Sequence, residues 1–466
     1  MTEKGTKMAE KAAERAVQRC IEPACAGTFG LRERIYVCPR CGGSIEIECR
    51  LPARDDAPTL RERWRMRLAS PEARDRSGVW RFREMLPFAE ETSCVTLREG
   101  NTPLYDAPRS AHYCGLAALR LKHQGMNPTG SFKDTGMSAA VTQAVVLGAR
   151  TVVCASTGNT SASLAAYAAR AGVTAAILLP RGQISAAKLA QSMDYGALVC
   201  EIDGNFDDGM RLIQELGEDP AIYVANSINP FRIEGQKTVA FELMEQCGWQ
   251  APDHVVVPGG NMGNSTALGK GFQELLDLGL ISRLPKLSVI QAEGSAPVAR
   301  LFATLDSRRP PGDNSLPETM APVSNPRTLA TAIKIGAPVS WKKALRAVLR
   351  SGGKVIAVSE QEIADAKAMI GRDGIGCEPA SATTVAGMRK LVASGHIRRE
   401  ESVIGVLTGH VLKDPDYISH YHRGTLSLDA GAKGGPAQAI AGTFRNAPER
   451  VAATRAAILE ILERRR

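Results

Sequence analysis

An α/β protein with two parallel sheets, each the middle layer of a three-layer sandwich, is the fold class predicted from about residue 116 onward. Three observations carry it. Short apolar, β-branched runs such as VVCA and VVVP recur without polar alternation, as strands covered on both faces do. Each run is followed by an Ala-rich stretch of helical period. Gly, Ser, Thr and Asn gather in the loops after the runs, where parallel sheets bind their ligands.

In chain order, residues 1–17 read as a polar helix or frayed leader. They carry acids and no apolar h-region, so they are no secretory signal, and a cytoplasmic location is the default. Cys20, Cys25, Cys38 and Cys41 follow in a compact, ribbon-like segment over 18–50. Residues 61–84, Arg-rich with Trp64, Trp80 and Phe82 interleaved, suit a helix laying one face on a domain. Strands are predicted at 118–122, 151–155, 175–179, 198–202, 254–257, 287–291, 354–358 and 403–407. Helices are predicted at 132–147, 160–171, 185–195, 233–246 and 264–278. A last amphipathic helix over 448–466 suits a dimer contact or a surface. The expected division is an extension (1–99), a large domain (100–139 with 236–424), a small α/β domain (140–235) and a tail (425–466).

Composition narrows the function classes. Hydrophobic residues are 44% and charged residues 23%, ordinary usage for a folded chain. The net charge of +9 is spread along the sequence and aromatics are only 5%, which argues against nucleic acid as a partner. A small anionic substrate needs only a few focused cations. No apolar run approaches the ~18 residues that span a bilayer, so no membrane partner is expected. Eleven cysteines are too sparse for a disulfide scaffold.

Four loops hold the chemistry. In NPTGSFKD (127–134), Lys133 opens a helix, where the dipole and nearby amides disfavour an ammonium; a lowered pKa suits a Schiff-base lysine. STGNTS (156–161) is a strand–loop–helix junction whose free amides suit a carboxylate or phosphate, or serve as a plain N-cap. PGGNMGN (258–264) places glycines and asparagines before a helix, a nest for an ester phosphate; the GxGxxG spacing of dinucleotide sites is absent. Thr408 ends the last strand, where a hydroxyl can meet a heterocyclic nitrogen. The four cysteines, spaced x4, x12 and x2, suit a closed structural Zn²⁺ site with no open position.

Together these loops resemble the pyridoxal phosphate enzymes of fold type II, the tryptophan synthase β-like group, and within it the plant-like threonine synthases. GNTPL (100–104), NPTGSFKD, ASTGNTSAS (155–163), ANSINPFRIEGQKT (225–238) and PGGNMGN stand in the family's order. The resemblance implies that Lys133 forms the internal aldimine with pyridoxal phosphate and later moves protons. It implies that Asn159 bonds the cofactor's phenolic oxygen, that Gly260, Asn261, Met262, Gly263 and Asn264 hold its phosphate, and that Thr408 faces its ring nitrogen. Thr157 and Thr160 fall where the substrate carboxylate is held. Asn226, Ser227 and Arg232 match positions that grip the phosphate of O-phosphohomoserine, whereas Lys237 could add charge or be structural. The reaction implied is replacement of phosphate by water, giving threonine, with a homodimer as the assembly. Three departures bear on substrate: Arg98 before GNTPL, Thr135 after KD, and Val411, commonly Gly, beside the cofactor ring. Alternatives are a sister enzyme of another phosphorylated amino acid, such as cysteate synthase using O-phosphoserine, and a regulatory protein that keeps the fold without turnover.

Overall fold

The computed structural model describes residues 15–88, 94–156, 158–181, 186–204, 206–306, 315–429 and 437–464. It opens with β1 (Ala16–Cys20), β2 (Thr28–Phe29) and β3 (Ile45–Cys49), an antiparallel sheet in the order β2-β1-β3. The predicted leader helix lies outside the described residues up to 14, and its end is corrected: Ala16–Cys20 is a strand. The buried positions there are Ala16, Gln18 and Cys20. An inward glutamine hid the alternation.

The Arg-rich stretch is likewise not one helix. α1 (Ala57–Leu68) ends before Pro71, and a separate 3-10 turn covers Trp80–Met85. Trp64, Trp80 and Phe82 are nonetheless fully buried, and Arg81 joins them by pairing with Glu245 at 2.6 Å.

Every strand predicted after this point is present. The chain continues through β4 (Leu104–Asp106), α2 (Pro108–Cys114), β5 (Arg120–His123), α3 (Lys133–Val146), β6 (Thr151–Ala155), α4 (Asn159–Ala171) and β7 (Thr174–Pro180). Then come α5 (Ala186–Asp194), β8 (Leu198–Ile202), α6 (Phe206–Leu216), β9 (Ile222–Val224), α7 (Pro230–Gln246), β10 (His254–Pro258), α8 (Gly263–Asp277) and β11 (Lys286–Ala292). After α9 (Pro297–Asp306) and α10 (Trp341–Ser351) follow β12 (Val355–Val358), α11 (Glu360–Arg372), α12 (Pro379–Ala393), β13 (Val403–Leu407) and α13 (Pro415–Arg423). A short hairpin, β14 (Ser427–Leu428) with β15 (Gln438–Ala439), precedes α14 (Arg455–Arg464). This last helix is shorter than predicted and exposes Ile458, Leu459 and Leu462.

One sheet runs β12-β11-β10-β13-β5-β4, parallel except for the edge strand β4; the other runs β8-β7-β6-β9, parallel throughout. Alternate residues of β10 serve opposite faces: Val255 and Val257 pack with α7, α8 and α10, while Val256 packs with α12. In β6, Val152 and Cys154 meet α3 and α4, and Val153 faces α6. Among the described residues no helix is long and apolar enough to cross a membrane.

The contact that matters most for the site is a crossing of α3 and α7. Gly136 lies so close to α7 that a β-carbon there would come within 2.6 Å of Gln236 Nε2 and 3.0 Å of the Arg232 carbonyl. A β-carbon on Gly235 would overlap the Thr135 carbonyl oxygen. Two side-chain-free positions let the helices touch backbone to backbone, which brings their first turns, with Lys133 and Arg232, to one place. Gly235→Ala should therefore cost about 2–4 kcal/mol of stability, read as a fall in denaturation midpoint, and should impair activity even where the protein still folds.

Candidate active site

Five loops meet at the carboxyl ends of the parallel strands, following β5, β6, β9, β10 and β13. Those after β5 and β13 are laced together by backbone pairing: Ser131 bridges Gly409, Phe132 N–H donates to the Thr408 carbonyl at 2.9 Å, and His410 N–H to the Gly130 carbonyl at 2.9 Å. Buried Asp134 ties the loop to its helix. It accepts from Thr129 N–H (2.7 Å), Thr129 Oγ1 (2.6 Å) and Ser163 Oγ (2.6 Å), and burial raises its carboxyl to about 6. Asn127 Oδ1 accepts from Gly100 N–H at 2.8 Å, so the GNTPL turn hangs on the same loop.

Lys133 stands at the first position of α3. Burial, reinforced by the nearby Arg232 guanidinium and opposed by Glu378, lowers its amine to about 7. Arg232, in the first turn of α7, is only 2% exposed. Its Nη1 donates to the Ala225 carbonyl at 3.1 Å, its Nε has no partner, and among the described residues no carboxylate pairs with it. Burial lowers its pKa to about 10, which still leaves a full positive charge at neutral pH. Lys237, one turn further on, is different: it is held by Glu234 (2.6 Å) and Glu274 (2.9 Å), a satisfied structural charge. A buried cation without a counter-ion is costly unless an anion visits.

The loop after β10 supplies an anion cradle. Met262 adopts φ 64°, a left-handed conformation uncommon for a side chain this large, and this strain turns the chain into α8. Gly263, Asn264 and the residue after them present the free N–H groups of a helix N-terminus. Gly260 lies against Ile333, where a β-carbon would sit 3.2 Å from Ile333 Cα, so the backbone forms the wall. Asn261 Nδ2 donates to Ser227 Oγ at 3.0 Å, joining this loop to the one after β9. Asn264 Nδ2 bonds Gln124 Oε1 at 3.2 Å, while its Oδ1 is buried without a partner.

The remaining predicted residues are placed as follows. Asn159 begins α4 and donates to Glu378 Oε2 at 2.9 Å. Thr408 is buried and reaches the same carboxylate at 3.3 Å and Ser381 Oγ at 3.1 Å. Thr160 is half-buried in the first turn of α4, and Thr157 lies outside the described residues. The Asn226 side chain continues the β6–β9 pairing, accepting from Ala155 N–H (3.2 Å) and donating to the Ala155 carbonyl (3.3 Å), so it holds the STGNTS loop in register. His123 braces loops, accepting from Gly125 N–H and donating to the Gly376 carbonyl. Val411 opens a short 3-10 turn without the positive φ that glycine would favour, and its side chain lies over Gly376. Arg98, by contrast, does take φ 63°.

Glu378 and Ser381 went unpredicted. Glu378 is the N-cap of α12, buried, and its carboxyl is raised above the usual range by that burial. The signal in the sequence, Glu-Pro before a helix, is that of any helix start.

In the N-terminal segment the Sγ atoms of Cys20, Cys25, Cys38 and Cys41 all lie within 4.8 Å of one another. The 3.5 Å and 3.6 Å separations of Cys20–Cys41 and Cys25–Cys38 are too long for disulfides and close to the ~3.8 Å edge of a tetrahedron with 2.3 Å metal–sulfur bonds. Burial works against ionising Cys38, yet the amides of Arg40 and Cys41 hold its thiol down at about 7. The cluster could hold a metal ion.

Residues 95–409 match the family described as pyridoxal-phosphate dependent enzyme. A threonine synthase of Methanocaldococcus jannaschii is 46% identical over 402 residues, covering 86% of this chain and 93% of that protein. One of Mycobacterium tuberculosis is 47% identical over 337 residues, covering 72% and 88%. Among solved structures, a fungal L-serine ammonia-lyase from Rhizomucor miehei superposes with TM-score 0.58 at 19% identity, covering 70% of this chain and 99% of that one. Maize serine racemase gives 0.56 at 20% identity, covering 80% and 98%. These two share the fold alone. The lowered amine of Lys133, the glycine-walled anion cradle and the unmatched charge of Arg232 fit this cofactor, and the chain belongs to the pyridoxal-phosphate dependent enzymes, in their threonine synthase family.

Proposed function

We propose that this chain converts O-phospho-L-homoserine and water to L-threonine and inorganic phosphate, as a carbon–oxygen lyase acting on phosphates. The observation that carries the substrate is Arg232: a buried guanidinium that pairs with no carboxylate among the described residues, close enough to act on the amine of Lys133, suits an anionic group on the reacting molecule itself. Pyridoxal phosphate, when bound, supplies the electron sink for a carbanion at the substrate's Cα. The protein's own residues do the rest. Gly260 to Asn264 hold the cofactor's phosphate with backbone N–H groups and the dipole of α8. Asn159 and Thr408, gathered on Glu378, would meet its phenolic oxygen and its ring nitrogen. Lys133, whose amine burial and the Arg232 charge hold down at about 7, would take the Cα proton and later return it. Arg232 and Ser227, backed by Asn226, hold the substrate phosphate until it departs, and the loop of Thr157 and Thr160 takes the carboxylate.

In the same reading, residues 100–139 with 236–424 form the large cofactor-binding domain and 140–235 the small one. The four cysteines hold one structural Zn²⁺, and the protein is a cytoplasmic homodimer. The decisive experiment loads the protein with pyridoxal phosphate, supplies O-phospho-L-homoserine, and measures phosphate together with the amino-acid product by chromatography and mass. Threonine and phosphate in equal amounts are expected. Phosphate release from O-phosphoserine instead would move the substrate to a sister reaction, and metal analysis finding no zinc would remove the ion.

A further inference from the structure

Strand β9 is an edge of the four-stranded sheet: β6 pairs with its inner side, and among the described residues no strand covers its outer side. Bare edges leave outward N–H and C=O groups unpaired. Here side chains of the cysteine segment take a strand's place. Tyr36 Oη accepts the outward N–H of Val224 at 2.9 Å. Arg34 donates to the carbonyls of Ile222 (3.1 Å) and Asp219 (3.3 Å), and to that of Leu147 at the end of α3 (3.1 Å). The Tyr36 ring packs edge-on against Tyr223.

Two residues past Val224 the chain enters the anion grip. The same loop also reaches the grip's far side, because Leu31 shares a hydrophobic cluster with Phe231, the neighbour of Arg232. The loop is itself rigidly held. Gln18, fully buried in β1, donates to the carbonyls of Gly30 and Glu33, both at 2.7 Å, and Gln143 of α3 donates to the Leu31 carbonyl at 2.8 Å. The opposite side of the segment is pinned to α10 through Glu22–Lys342 at 2.8 Å and Lys343 to the Ile45 carbonyl at 3.0 Å. The cysteine segment is thus a strut, fixed to α10 at one end and gripping the β9 edge at the other.

We infer that Arg34 and Tyr36 are positioning residues for the substrate phosphate: by capping the β9 edge they set Ser227 and Arg232 at the spacing that closes on a dianion. The inference rests on the reading of 226–232 as the phosphate grip. It makes the cysteine segment part of the phosphate site without touching the ligand.

The test uses the cofactor-loaded full-length protein and Tyr36→Phe, which keeps the ring and removes only the acceptor. Kd values for inorganic phosphate and for L-threonine, which carries no phosphate, are read from perturbation of the cofactor absorption band. KM and kcat are measured with O-phospho-L-homoserine. Tyr36→Phe should raise KM and the phosphate Kd together by about fivefold, the worth of one lost hydrogen bond, with kcat and the L-threonine Kd within about twofold of wild type. Arg34→Ala should do the same and Arg34→Lys should recover most of the loss; this pair tests the same strand edge through its carbonyls should Tyr36→Phe fail to fold. An unchanged phosphate Kd overturns the inference, as does a parallel loss of phosphate and threonine affinity, the mark of a merely structural role. If wild type binds phosphate but does not turn over O-phospho-L-homoserine, the substrate reading fails and the phosphate Kd of the variants still decides the inference. Wild type that binds no phosphate overturns both.

Discussion

Lys133→Ala should abolish the cofactor's protein-bound absorption band and lower turnover by at least about 10³-fold, while circular dichroism and denaturation midpoint stay near wild type. On the proposed function the expectation combines two losses: a covalent anchor, and a base for the Cα proton. A surviving band would assign the anchor to another lysine. The same residue sets a pH dependence whose sign follows from its environment. Burial and the Arg232 charge lower its amine to about 7. Attachment of added pyridoxal phosphate needs the neutral amine, so its rate should fall as pH drops through about 7 and level off above. A lysine at its ordinary value of about 10.4 would instead leave the rate still climbing at pH 9.

Arg232→Met should raise KM for O-phospho-L-homoserine by about 30–100-fold, because a buried charge-assisted pair with the phosphate is worth roughly 2–3 kcal/mol. The informative part is the second measurement. In the free protein the guanidinium sits buried, with its Nε unpartnered. An apolar side chain of similar length removes that desolvation cost, so the cofactor-loaded variant should be no less stable than wild type, and more stable by thermal midpoint if the charge carries its full cost. A structural arginine would behave in the opposite way, with stability lost and KM unmoved. Lys237 serves as the internal control. Its charge is matched by Glu234 and Glu274, to which Lys270 is also paired, so Lys237→Met should destabilise by about 3 kcal/mol, leaving both buried carboxylates to Lys270.

The same contrasts separate what the chain displays from what it hides. Lys133, the Gly260–Asn264 loop and Thr408 stood out because small residues, hydroxyls and asparagines follow apolar runs there, and parallel strands make such runs conspicuous. The four cysteines stood out by their spacing, and folding does bring their Sγ atoms together. Element boundaries were lost where a polar residue points inward, as Gln18 does in β1, or where breakers were outweighed by composition, as Pro71 and Gly78 were within 61–84.

By itself the sequence determined the fold class, eight of the parallel strands in their order along the chain, and the residue types waiting at their ends, but not β4, β9 or the helices from α9 to α13. Only the tertiary structure decided which of those residues act on one another. Lys237 and Arg232 look alike as basic residues on one helix, yet among the described residues one meets two carboxylates and the other none. Glu378 reads as a helix cap until folding sets it between Asn159 and Thr408, and Arg34 and Tyr36 read as loop residues until the β9 edge arrives beside them. The physical reason is that burial and pairing are relations between distant segments. The sheet order and the glycine contact between α3 and α7 bring those segments together, and local sequence carries no record of who the neighbour will be.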